Sequence, residues 1–168
     1  ALHAKAMGVQ RLMKNELALA MKELRRAVAQ SPNDSEAVGD RGVIYSRRGM
    51  RARTIENLQR AIADDPDSPN RSKWDSLLNT NRYWLLINEG DTALSAGNYV
   101  LAQLKYQRAA RLDGRDSYAP LGLGDVAAAK SDSAAAEQFY QLAIRLDARN
   151  VSAVRALAKI YRRRSVQD

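Results

Sequence analysis

The sequence predicts an all-α chain in which helical hairpins stack into a solenoid, and two observations carry this prediction. The first is composition: 28 of the 168 residues are alanine, whereas glycine contributes 9 and proline 4. Alanine has the highest helix propensity of all residues. The second is a pattern that recurs every 34 positions, and periods of this length are typical of helical-repeat proteins. Each repeat is expected to bury its apolar face against the next one.

Four complete repeats can be aligned, at residues 1–34, 35–68, 83–116 and 117–150, followed by one further helix at 151–164. Glycine occupies the eighth position of every repeat: Gly8, Gly42, Gly90 and Gly124. A large side chain occupies the twenty-fourth position: Leu24, Leu58, Tyr106 and Tyr140. Because two helices cross closely only where a side chain is small, we expect the glycines to mark helix crossings. The large residues are expected to fill the space between a repeat and its neighbour.

A helical hairpin of 34 residues with small residues at the eighth, twentieth and twenty-seventh positions resembles the tetratricopeptide repeat. The resemblance covers nearly the whole chain and implies a right-handed superhelix that binds other proteins. Arg11, Arg41 and Glu89 stand at positions where this family usually has apolar residues. The chain starts inside a repeat and stops after the first helix of another, so we expect a fragment of a longer array.

Residues 69–82 belong to no repeat, which predicts an inserted helical segment that interrupts the repeat register. Pro69 suits a helix start, and Trp74 begins an apolar stripe at helical spacing. The Asn79–Asn81 stretch is a weak helix former and could mark a break. Two outcomes stay open: one long helix that continues into the third repeat, or an unpaired helix followed by a kink.

The predicted organisation is two repeats at 1–68, the inserted segment at 69–82, and two repeats plus one helix at 83–164. The candidate hinge or docking residues of the inserted segment are Pro69, Trp74, Asn79 and Asn81. The alternative is a tolerated insertion whose tryptophan packs on a neighbouring repeat.

Three strings of the sequence carry a closer resemblance: Ser72–Leu78 (SKWDSLL), Asn81–Trp84 (NRYW) and Asp116–Val126 (DSYAPLGLGDV). They are similar to the periplasmic repeat region of the bacterial outer-membrane cellulose export proteins, a family that has the insertion at the same point of the repeat register. This resemblance implies a non-catalytic periplasmic scaffold, part of an outer-membrane protein that exports the glucan through a pore. The implied partners are other subunits of the cellulose synthase complex. The alternative is a general adaptor that binds a peptide in its concave groove.

In the tetratricopeptide-repeat family the concave groove is lined by the first helix of each repeat. Two adjacent repeats place an aromatic residue at the second position of that helix, Trp84 and Tyr118, and a carboxylate at the ninth, Asp91 and Asp125. Sugars stack on aromatic rings, and carboxylates accept hydrogen bonds from hydroxyl groups. These four residues are therefore a candidate glucan-contacting strip. The alternative is that both aromatic residues pack on the preceding repeat and that both aspartates are solvated.

Residues that carry chemistry are scarce. The chain has no cysteine and a single histidine, His3, which excludes thiol nucleophiles and histidine-based triads. The glycine-containing string at 121–125 follows no predicted strand, so it is not a dinucleotide-binding loop. The acidic run at 64–67 lacks the spacing of a calcium loop and is assigned to a turn between repeats. We predict no catalytic, cofactor or metal site.

The chain is basic, with 27 Lys and Arg against 19 Asp and Glu. Its arginine clusters are Arg25–Arg26, Arg47–Arg48 with Arg51 and Arg53, and Arg162–Arg164. They fall on different predicted helices and turns, and Arg51 and Arg53 are expected in the turn between two helices. Nucleic-acid binding needs aligned charges with exposed aromatic residues, so we predict no nucleic-acid partner. The alternatives left open for these charges are an acidic surface of a protein partner and an anionic cell-wall polymer. No segment is apolar and long enough to be predicted as a membrane span.

Overall fold

The computed structural model describes residues 1–166, and within that range the chain forms nine α-helices and no strand. The predicted all-α class is confirmed. The helices are α1 (Leu2–Met13), α2 (Leu17–Gln30), α3 (Ser35–Arg47), α4 (Arg51–Asp64), α5 (Arg71–Ser95), α6 (Tyr99–Leu112), α7 (Tyr118–Ala129), α8 (Ser133–Leu146) and α9 (Val151–Arg164). The expectation that Arg51 and Arg53 lie in a turn is wrong. The turn needs only residues 48–50, because Gly49 adopts a left-handed conformation with φ of 70°, which ends α3 and lets α4 begin at Arg51.

The chain divides into two compact units: unit 1 is Ala1–Arg82, and unit 2 begins at Tyr83. The boundary falls inside α5, which is one unbroken helix of 25 residues. The weak helix formers at Asn79–Asn81 do not break it. The Asn81 amide donates hydrogen bonds to the Leu77 carbonyl oxygen at 2.8 Å and to Ser46 Oγ at 3.0 Å. Local hydrogen bonding and packing in unit 1 therefore override a poor helix propensity here.

Each hairpin turn contains one residue in the left-handed conformation at the fifteenth position of its repeat. The four residues and their φ angles are Asn15 (59°), Gly49 (70°), Gly97 (75°) and Ser131 (63°). Glycine adopts this conformation without steric cost, whereas serine does not favour it. The turn at Ser131 therefore carries a small local strain, whereas asparagine tolerates the conformation at position 15.

The recurring spacing of glycine and a large residue marks the helix crossings. A Cβ atom added at Gly42 would lie 2.9 Å from Leu58 Cδ2, and one added at Gly124 would lie 2.5 Å from Tyr140 Cε1. Gly8 and Gly90 approach Leu24 and Tyr106 in the same way, with distances of 2.7 and 2.6 Å. Real Cβ contacts are longer than this, so a larger residue at these positions would force the neighbouring side chain to shift. The crossings are located where the repeat pattern predicts them.

The twenty-fourth residue also contacts the next repeat in unit 2. Tyr106 lies against Gly90 of its own repeat and against Gly122 of the following one, where an added Cβ would be 2.4 Å from its ring. Tyr106 is 1% exposed, although it is one of the largest side chains in the chain. It therefore fills the space between two repeats, and close packing of this kind leaves no room for an added methyl group.

Candidate functional site

The four residues of the candidate strip lie in unit 2 on two first helices. Trp84 and Asp91 are on α5, and Tyr118 and Asp125 are on α7. In each helix the aromatic residue and the carboxylate are seven residues apart, which is about two turns, so they share one face. The fold thus places equivalent residues of successive repeats on adjacent helices.

The two aromatic residues of the strip contact each other. The ring centroids of Trp84 and Tyr118 are 5.2 Å apart with an interplanar angle of 63°, and Tyr83 meets Trp84 edge-on at 5.3 Å. Tyr118 is 47% exposed, whereas Trp84 is partly buried. Edge-to-face contacts of this geometry stabilise a fold by about 1 kcal/mol beyond simple burial. Tyr118 thus packs on the preceding repeat and still leaves half of its surface accessible.

The two aspartates of the strip accept hydrogen bonds from buried tyrosines. The Tyr106 hydroxyl donates to Asp91 Oδ1 at 2.6 Å, and the Tyr140 hydroxyl donates to Asp125 Oδ1 at 2.8 Å. Burial raises the pKa of both tyrosines, and the hydrogen bonds to the carboxylates raise it further. Burial also raises the pKa of Asp125. Each aspartate therefore ties the first helix of its repeat to the second.

These tyrosine partners were missed by sequence reasoning, although one signal was present. Both pairs have the same separation of 15 residues along the chain. In each pair one carboxylate oxygen is engaged, and the other can still accept a hydrogen bond. Asp91 is exposed and Asp125 is partly buried. The strip can therefore offer an aromatic edge and two partly used carboxylates to a ligand rich in hydroxyl groups.

Curated proteins match most of the chain. It is 48% identical over 123 residues to cellulose synthase operon protein C of Escherichia coli (strain K12). The matched residues cover 73% of this chain and 11% of that protein. It is also 48% identical over 123 residues to the protein of the same name from Salmonella typhimurium (strain LT2), covering 73% of this chain and 10% of that protein. The chain thus spans about a tenth of the length of these relatives.

Solved structures share the fold. A tetratricopeptide repeat protein from Parabacteroides merdae superimposes with a TM-score of 0.53 at 14% identity, over 95% of this chain and 71% of that one. The chain therefore has the tetratricopeptide-repeat fold. No protein-family model matches it.

In this tetratricopeptide-repeat fold the first half of α5 belongs to the core of unit 1. Trp74 is fully buried, and a Cβ atom added at Gly39 would lie 2.3 Å from its indole ring. Leu78 is 5% exposed in the same core. Of the other predicted hinge residues, Asn81 is buried and bonded to Ser46, while Pro69 and Asn79 are exposed. The hinge role itself stays a prediction.

The charged residues that depart from the repeat pattern each have a polar partner. Arg41 Nε donates to Asn57 Oδ1 at 2.7 Å, and Lys105 Nζ lies 2.6 Å from Glu89 Oε2. Both pairs join the seventh position of a repeat to the twenty-third. Arg11 pairs with Glu16 at 2.8 Å. A charge at an apolar position is tolerated when it is hydrogen-bonded, so the repeat pattern survives these substitutions.

Within residues 1–166 no three side chains of the metal-ligating types converge. No helix in the same range is long and apolar enough to cross a membrane.

Proposed function

We propose that this chain is a non-catalytic, periplasmic scaffold segment of a bacterial cellulose synthesis and export complex. The observation that carries the proposal is the 48% identity to cellulose synthase operon protein C over 73% of the chain. The fold supports it, because stacked helical hairpins present extended surfaces suited to binding other proteins. In this role the chain binds other subunits of the complex.

The organisation of the chain supports a scaffold made of two short arrays. We propose that residues 69–82 are an insertion between two arrays. Two repeats precede it, and two further repeats with an additional helix follow it. The first helices of the other complete repeats have 12 or 13 residues, whereas α5 has 25. Its first half packs in the core of unit 1 and its second half in the core of unit 2. Each array thus keeps its own core.

A second proposal concerns the glucan chain. Trp84, Tyr118, Asp91 and Asp125 form a weak contact strip for a β-linked glucan as it passes along unit 2. The exposed half of Tyr118 and the unengaged carboxylate oxygens support this role. A contact of this kind guides the polymer without chemical change.

The scaffold proposal is tested by measuring binding of the purified chain to each purified subunit of the cellulose synthase complex. Saturable binding to at least one subunit, lost on competition with excess unlabelled chain, is expected. An unrelated tetratricopeptide-repeat protein serves as the control for nonspecific binding. Binding to none of the subunits would overturn the proposal and favour the general peptide adaptor.

The glucan strip is tested by nuclear magnetic resonance with a cello-oligosaccharide. The chain has two tryptophans, so the fully buried indole of Trp74 is an internal reference for that of Trp84. We expect the Trp84 signal to shift at millimolar ligand, the Trp74 signal to stay fixed, and the shift to disappear in Tyr118→Ala. An unmoved Trp84 signal would show that the strip has only a structural role.

A further inference from the structure

Unit 1 contains a cluster of arginines around one tyrosine that the proposed scaffold role does not use. Tyr45 on α3 is 7% exposed and belongs to the core of unit 1. The guanidinium carbon of Arg53, from α4, lies 5.6 Å from the centroid of the Tyr45 ring. The positive charges of Arg25 on α2 and Arg41 on α3 also lower the pKa of the Tyr45 hydroxyl. Three helices therefore direct cationic side chains to one place.

The pKa of the Tyr45 hydroxyl reflects this concentration of positive charge. Burial by itself raises the pKa of its hydroxyl, but Arg25, Arg41 and Arg53 outweigh burial, and the pKa is lower than usual. The pKa of Arg41 is lowered, first by burial and then by neighbours that include Arg60. Arginine stays protonated in spite of such shifts, so the cluster keeps its positive charge.

Little negative charge offsets these arginines. No ion pair within residues 1–166 involves Arg25, Arg41 or Arg53. Arg41 donates to the neutral amide of Asn57. The negative charge of Glu56 raises the pKa of Arg41, against the lowering by burial and by neighbouring arginines. Clustered cations repel one another, and a structure that retains them gains stability when an anion neutralises them.

The fold does not require these residues. Arg41, Tyr45 and Arg53 stand at the seventh, eleventh and nineteenth positions of their repeat. The corresponding residues of the third repeat are Glu89, Ala93 and Leu101, and those of the fourth are Leu123, Ala127 and Ala135. In the third repeat the same positions line an open groove of about 520 Å³. Tetratricopeptide packing is therefore achieved without a cationic cluster at this place.

We propose that Arg25, Arg41 and Arg53, together with the Tyr45 hydroxyl, form a binding site for an oxyanion, either a carboxylate or a phosphate group. Guanidinium groups bind both kinds of oxyanion through paired, charge-assisted hydrogen bonds. The tyrosine hydroxyl adds one further donor. Arg25 and Arg53 are exposed and Arg41 is partly buried, so a ligand can approach from solvent while the buried ring keeps the site in place.

The proposal is tested by titrating the full chain with inorganic phosphate and, separately, with citrate, at constant ionic strength maintained with sodium chloride. The reporter is the ring carbon signal of Tyr45, assigned with Tyr45→Phe. We expect a saturable shift, and about tenfold weaker binding in Arg25→Gln and in Arg53→Gln, because each removes charge-assisted hydrogen bonds. The matched control is Arg26→Gln, which removes the same charge from an exposed neighbouring position and should bind as the wild type does.

The two ligands distinguish the source of the oxyanion, since tighter binding of phosphate points to a phosphate group and tighter binding of citrate to a carboxylate. Two results would overturn the proposal: no saturable shift of the wild-type signal with either ligand, or equal weakening in Arg26→Gln, which would indicate general charge screening. Because the first result concerns the wild type, the proposal remains testable even if a variant fails to fold.

Discussion

In unit 1 the large residue at each helix crossing is leucine, at Leu24 and Leu58, whereas in unit 2 it is tyrosine, at Tyr106 and Tyr140. The ninth position changes together with it. That position is valine in unit 1, at Val9 and Val43, and aspartate in unit 2, at Asp91 and Asp125. A buried hydroxyl needs a hydrogen-bond partner and a buried leucine does not. The two positions therefore form one structural pair, either apolar with apolar or hydroxyl with carboxylate.

This comparison changes how the candidate strip is understood. The pairing explains why aspartate occurs at the ninth position of two adjacent repeats, without any ligand. What the pairing does not explain is the aromatic pair at the second position, where Tyr118 remains half exposed. The case for a glucan contact therefore depends on Trp84 and Tyr118 more than on the carboxylates.

The largest expected effect compares the two tryptophans, one in each unit. Trp74→Ala should destabilise unit 1 by about 4 kcal/mol, because a fully buried ring is removed and the space beside Gly39 is left empty. Trp84→Ala should cost less, about 2 kcal/mol, since this ring is only partly buried against the core of unit 2 and its loss removes that packing together with the edge contacts. Urea denaturation followed by circular dichroism measures both. Similar costs for the two variants would contradict the assignment of Trp74 to a closed core.

The next effect is a pH-dependent stability of unit 1 that arises from Asp40, at the sixth position of the second repeat. The third and fourth repeats, in unit 2, have Asn88 and Gly122 at this position, and neither residue can titrate there. Burial raises the pKa of Asp40 to about 6, although Lys73 and Lys5 lower it and Glu36 and Asp34 raise it further. The folded state therefore binds the proton more tightly than the unfolded state, and stability falls as the pH rises from about 4 to 6.

Asp40→Asn removes this loss. The variant should match the wild type near pH 4 and exceed its free energy of unfolding by up to about 3 kcal/mol above pH 6. Urea denaturation across this pH range measures the difference. Asp67→Asn, at an exposed position, is the control and should show no such trend. A difference independent of pH would contradict the burial of the Asp40 charge.

A smaller effect compares a helix crossing filled by leucine, in unit 1, with one filled by tyrosine, in unit 2. Gly124→Ala should cost about 2 kcal/mol, because the new Cβ meets the ring of Tyr140 at 2.5 Å and that ring is only 3% exposed. Gly42→Ala should stay within about 1 kcal/mol of the wild type. There the Cβ meets a leucine side chain that can adjust, and alanine favours the helix. Thermal unfolding of both variants provides the measurement, and equal losses would argue against this difference.

The smallest effect concerns the hairpin turns. Ser131→Gly should stabilise unit 2 by about 0.5 kcal/mol, because serine there adopts the left-handed conformation that glycine adopts freely. The reverse change in the preceding hairpin, Gly97→Ser, should destabilise by a similar amount. Melting temperatures of the two variants provide the test, and changes of the same sign would contradict it.

The sequence predicted those features that depend on local pattern. The glycines at the eighth position predicted the crossings, because a larger residue there would force the facing side chain to shift. The Asn79–Asn81 stretch was misleading as a possible break, since the helix is held by Ser46, which is distant in sequence. The arginines around Tyr45 could not be predicted as a cluster for the same reason: they come from three helices, and only tertiary packing brings them together.

The claim that Asp125 and Tyr140 form one structural pair is tested most directly by a double-mutant cycle with Asp125→Ala and Tyr140→Phe. Free energies of unfolding are measured in urea for both single variants and the double variant. The pairing predicts that the effects are not additive, with a coupling of about 1–2 kcal/mol that reflects the loss of one charge-assisted hydrogen bond. Additive effects would contradict it and return Asp125 to the role of a carboxylate that is free to bind a ligand.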